Sequence, residues 1–110
     1  MGTDLNYIQY VVEQVGLGSR LTHKKMFGEY ALYVDGKVVA FVCDNSLFVK
    51  PSQAAVKLTP HLPQRAPYPG ARNYPVADEL LDDSDSLRRL ILETAVLMPE
   101  PKPKASRKTK

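Results

Sequence analysis

The chain has 110 residues, enough for one hydrophobic core. Its 44% apolar and 25% charged residues are the balance of a globular protein and not of a disordered one. No apolar run approaches the ~20 residues that span a bilayer, and no secretory signal opens the chain. Cys43 is the single cysteine, so no internal disulfide can form; a cytoplasmic protein without membrane association is expected. The net charge of +3 is unevenly spread: residues 1–98 carry ten Lys/Arg against eleven Asp/Glu, whereas residues 99–110 carry five against one.

Leu5, Ile8, Val12 and Val15 recur at helical spacing behind Thr3 and Asp4, two capping candidates, and Gly16 and Gly18 end the helix. The period then changes. Met26 to Val34 is rich in aromatic and β-branched residues, and Asp35-Gly36 is a strong two-residue hairpin signal. Val38 to Cys43 follows as an apolar central strand, Asp44-Asn45 as a second tight turn, and Ser46 to Lys50 as a third strand. Two-residue turns set Leu32 opposite Val39 and Phe41 opposite Phe48. One sheet face then carries Tyr30, Leu32, Val39, Phe41 and Phe48, the other Ala31, Tyr33, Val38, Ala40, Val42, Leu47 and Val49. Both faces are apolar, so one of them, the first or its opposite, is expected to be only partly covered and to meet a partner, with a homodimer as one form.

Ser52 caps a short helix that Pro60 and Pro63 limit. Residues 64–76 read as a loop or irregular edge hairpin, where Tyr68 and Tyr74 with Arg65 and Arg72 could form a recognition loop or pack on the sheet edge. Asp82 to Asp85 open a last helix with a stripe of Leu87, Leu90, Ile91, Ala95 and Met98, stopped by Pro99. The order is that of an α+β domain over residues 1–98: a three-stranded antiparallel meander and an edge hairpin packed with flanking helices. Residues 99–110 read as a basic, Pro/Lys-rich disordered tail, because Pro99, Pro101 and Pro103 deny it a helix.

Chemistry-bearing residues are sparse. Cys43 ends an apolar strand with no His near it and reads as a small buried hydrophobe. His23, in an expected loop beside Lys24 and Lys25, and His61 have no second ligand at metal spacing, so neither a metal nor another cofactor is expected. The acidic run Asp78, Glu79, Asp82, Asp83 and Asp85 lacks the pattern of a calcium loop and suits a helix start. Gly16-Leu17-Gly18-Ser19 follows a helix, not a strand, and stops it instead of cradling phosphate. No catalytic set emerges. Lys102, Lys104, Arg107, Lys108 and Lys110 could give weak, non-specific contact with DNA.

The stretch Lys24 to Lys37, with Met26-Phe27-Gly28 and Asp35-Gly36, resembles the opening strands of the TfoX/Sxy N-terminal domain family. Asp44 to Lys50 resembles that family's third strand, and Asn73-Tyr74-Pro75-Val76 with Asp78 to Asp83 its aromatic strand and acidic helix start. Glu29 stands where the family usually has a small residue, and the chain ends where the full-length regulators carry a second, helical domain. The resemblance implies an α+β sandwich of antiparallel sheet and helices, with no catalytic residues. It also implies kinship with bacterial regulators of natural competence that act as co-activators with the cyclic-AMP receptor protein. The expected function is thus a non-enzymatic regulatory module acting by protein–protein contacts, with the transcription machinery as partner. The alternative is a small-ligand binder or enzyme with a pocket between the sheet and the 64–76 loop.

Overall fold

The computed structural model describes residues 3–26 and 29–98. In chain order the elements are α1 (Leu5–Val15), β1 (Leu21–Met26), β2 (Glu29–Val34), β3 (Lys37–Cys43), β4 (Ser46–Val49), α2 (Gln53–Leu58), β5 (Gln64–Arg65), β6 (Tyr74–Pro75) and α3 (Ser84–Leu97). Single 3₁₀ turns occupy Gly18–Arg20 and Asp78–Asp82. The class is α+β, as expected, with strands β1 to β4 forming one antiparallel meander.

The turns follow from residue chemistry. Asp35 and Gly36 have φ of 51° and 86°, and Asp44 and Asn45 have φ of 51° and 57°. Left-handed backbone at both central positions matches the twist of the flanking strands, and Asp, Asn and Gly tolerate it best. Ser52 caps α2 by accepting from the Ala55 N–H at 3.4 Å. Asp83 caps α3 by accepting from Ser86, both from its N–H and, at 2.8 Å, from its hydroxyl.

The inner face of the sheet packs against α1 and α3. Ile8, Val11 and Val15 meet Leu32, Val34, Val42, Leu47 and Val49, and Leu87, Leu90 and Ile91 close the same core. Each such side chain contributes about 1.5–3 kcal/mol on burial, against ~1 kcal/mol for a typical cap, so these stripes hold the helices down. In α1 the buried set is Ile8, Val11 and Val15, while Leu5 is exposed and Val12 half-buried, a small rotation from the expected stripe. In α3 the stripe includes Thr94, and Met98 caps the helix half-buried.

Three expectations are corrected. The meander has four strands, because His23, Lys24 and Lys25 lie on β1 and not in a loop. Leu32 pairs with Ala40 and Tyr33 with Val38, so Val39 is an extra residue, a β-bulge. Val39 and Ala40 are both fully buried in the main core. The bulge shifts side-chain parity by one residue. Tyr30, Leu32 and Val39 therefore share the inner core with Val42 and Leu47, while Phe41 and Phe48 belong to a separate cluster. The five residues expected to make one partner face do not share a face. Phe41 does pair with Phe48, as the Asp44-Asn45 turn required. The basic tail residues Lys102, Lys104, Arg107, Lys108 and Lys110 lie outside the described residues.

Candidate functional site

The outer sheet face is roofed by the 64–76 segment. β5 pairs with β6, and the segment joins the β4 edge through a Phe48–Val76 bridge and an Ala77 N–H to Leu47 carbonyl bond of 2.8 Å. Phe48, Tyr74, Val76 and Cys43 form a second small core beneath it, with Phe48 2% and Tyr74 8% exposed. Lys50 Nζ lies 5.9 Å from the Phe41 ring and 5.8 Å from that of Tyr74. The Arg65 guanidinium sits 5.3 Å over Phe48 and donates to the Ser46 hydroxyl at 3.1 Å. Cation–π contacts of this kind are worth ~0.5–1 kcal/mol at exposed sites and fasten the roof. Of the four residues read as a recognition loop, Tyr74 and Arg65 thus pack on the sheet, while Tyr68 and Arg72 are exposed. Beneath this segment Phe48, Tyr74 and Val76 pack together with Cys43, while Gln64 and Pro75 border a cavity shared with α2.

Cys43 belongs to the same small core. Burial, reinforced by Glu29 and Asp44, pushes its thiol up to about 11, so it is protonated at neutral pH. Glu29 holds the adjoining turn. Its Oε1 accepts from the Thr3 hydroxyl at 2.7 Å and from the Asp44 N–H at 3.0 Å, while Asn45 N–H donates to Thr3 Oγ1 at 3.2 Å. Thr3, expected as a helix cap, instead ties the start of the chain to the β3–β4 turn.

The acidic run is dispersed into separate tasks. Asp78 accepts from the Leu47 N–H at 2.7 Å, Glu79 pairs with His61 at 3.1 Å, and Asp85 pairs with Arg88 at 3.3 Å. Only Asp83 caps α3 through a hydrogen bond. Among the described residues no group of three or more His, Cys, Asp or Glu could hold a metal ion.

Open apolar surface lies elsewhere. Val56 of α2 is 63% exposed, and Val96 and Leu97 at the end of α3 are 75% and 50% exposed. Val56, Leu97, Met98 and Pro51 line an open groove between the two helices, with Ser52 and Gln53 at its rim. On the other side of α2 is a shallow cavity of about 200 Å³ lined by Pro51, Ala55, Val56, Thr59, Pro60 and Pro75 among others. Of its hydroxyls, Ser52 accepts from the Ala55 N–H and Thr59 donates to the Ala55 carbonyl at 3.0 Å. The cavity is smaller than the ~300–1,000 Å³ of ordinary small-molecule sites. The groove went unnoticed in the sequence because Val56 merges with the helix's own apolar run. Its one signal was Val96-Leu97, two apolar residues off the buried stripe.

The model of the TfoX N-terminal domain matches residues 13–96. The chain belongs to the TfoX N-terminal domain family. An uncharacterised 12.7 kDa protein from the trpE 5′ region of Spirochaeta aurantia is 44% identical over 110 residues, covering 99% of this chain and 96% of that one. No solved structure matches the chain. No helix among the described residues is long and apolar enough to cross a membrane.

Proposed function

We propose that this TfoX N-terminal domain is a non-enzymatic regulatory module that works by protein–protein contact, with transcription proteins as the partner class. The observation that carries the reading is the α2–α3 groove. Two of the large apolar side chains that line it, Val56 and Leu97, are 63% and 50% exposed, and Met98 and Pro51 lie beside them. Clustered exposed apolar groups beside a groove are the usual mark of a docking surface. The family resemblance supports the regulatory part. Affinity capture from cell lysate with the wild-type chain and with the double variant Val56→Asp/Leu97→Asp tests it. A partner identified by mass spectrometry should be retained by the wild type and lost by the variant, with both melting alike. Equal retention by the two would place the contact elsewhere and defeat the groove reading.

A further inference from the structure

Strand β1 is the outer edge of the four-stranded sheet. The opposite edge, β4, is taken by the Phe48–Val76 bridge. β1 pairs with β2 from Leu21–Val34 to Met26–Glu29, and the ladder continues into an Asp35 N–H to Arg20 carbonyl bond of 3.0 Å. Hydrogen-bonded and non-bonded pairs alternate along an antiparallel ladder. With Arg20–Asp35 bonded, Thr22 and Lys24 direct their backbone groups inward to β2. The N–H and C=O groups of His23 and Lys25 then point away from the sheet. His23, Lys24 and Lys25 are all exposed, and neither lysine is ion-paired among the described residues. Their side chains alternate across the sheet: Lys24 lies on the face of Ala31, while His23 lies on that of Tyr30, whose ring it meets edge-on at 5.6 Å.

We infer that this edge accepts an extended acidic segment of another protein as an added strand. The open backbone groups of His23 and Lys25 supply the pairing, and Lys24 and Lys25, one on each face, supply cations to carboxylates at neighbouring positions of the incoming strand. Lysines on an edge strand also discourage promiscuous pairing. Here that selects the occupant: an antiparallel second copy centred on Lys24 would set Lys24 opposite Lys24 and Lys25 opposite His23, and like charges directly opposite are unfavourable. The inference shares with the groove reading only that the chain binds protein.

The probe is the octapeptide Glu-Glu-Thr-Thr-Glu-Glu-Thr-Thr, which presents carboxylates on both faces of an added strand, with Lys-Lys-Thr-Thr-Lys-Lys-Thr-Thr as control. Amide exchange of the full chain is followed by NMR at low salt. Without peptide, the His23 and Lys25 amides should exchange faster than those of Thr22 and Lys24. Free acidic peptide at tenfold its Kd should slow His23 and Lys25 by about tenfold, because only the unbound fraction then exchanges. The lysine peptide should leave them unchanged, and Lys24→Glu/Lys25→Glu should lose the effect. The groove variant Val56→Asp/Leu97→Asp should keep it, so failure of either reading is visible alone. Slow exchange of His23 and Lys25 in the free chain, no slowing with the acidic peptide, or equal slowing with the lysine peptide would each overturn the proposal.

Discussion

Gly16 ends α1 with φ +69°, and a Cβ built there would lie 2.8 Å from Nη2 of Arg88. That arginine donates from Nε to the Val15 carbonyl at 2.9 Å, placing a cation at the helix C-terminus, where free carbonyls favour it. Gly16→Ala therefore meets left-handed backbone and a displaced guanidinium together. It should lower stability by about 1–2 kcal/mol, read as a lower urea midpoint at unchanged slope. Cys43 makes a second prediction at this scale. A thiol raised to about 11 is favoured in its protonated form by the fold. Its contribution is therefore present at neutral pH and is lost as pH climbs from about 9 to 11. Tyr7 acts in the same direction, because burial and then the Asp78 carboxylate push its phenol up to about 12. Urea midpoints should fall from pH 9 upward, and less so in Cys43→Ala and Tyr7→Phe. Native Cys43 should react with a thiol reagent at pH 7 far more slowly than free cysteine does.

At the scale of elements, the β3–β4 turn depends on Glu29, whose carboxylate holds both Thr3 and the Asp44 N–H. Glu29→Ala should cost about 1.5–3 kcal/mol, the range for hydrogen bonds to a charged group. Glu29→Gln keeps an acceptor but removes the charge, so it should speed thiol labelling of Cys43 at pH 9 while moving the urea midpoint little. Helices, turns and the edge hairpin were legible because each has its own chemistry: Ser52 and Asp83 as caps, Asp35-Gly36 and Asp44-Asn45 as left-handed turns. The bulge at Val39 was not. A bulge is visible in sequence as a break in polar–apolar alternation, and from Val38 to Cys43 every residue is apolar. Without that signal, strict two-residue pairing carried Phe41 and Phe48 onto the face of Tyr30 and Leu32. β1 was hidden for the opposite reason: Thr22 to Lys25 is polar throughout, as an exposed edge strand with one uncovered side can be.

For the whole molecule, the charge division between residues 1–98 and 99–110 makes a prediction about nucleic acid. The first part carries a net −1, and five of the chain's fifteen Lys/Arg lie within the last twelve residues. Any affinity for duplex DNA should be weak, ~10⁻⁴–10⁻⁶ M, indifferent to sequence, and lost on truncation after Met98. Filter binding of the truncated and complete chains over a salt series checks this, with a log–log slope no steeper than about −4.5 for five phosphate contacts.

The candidate docking groove was mostly illegible, since exposure of Val56 and Leu97 depends on how α2 meets α3 and not on either helix alone. The central claim is that this domain regulates through protein contact at that groove. Its most direct measurement is transcript profiling in the native host after deletion of this chain, with complementation by the wild type or by Val56→Asp/Leu97→Asp at equal abundance. The deletion should change a defined set of transcripts, the wild type should restore them, and the folded double variant should not. Full restoration by the double variant, or no transcript change on deletion, would contradict the account.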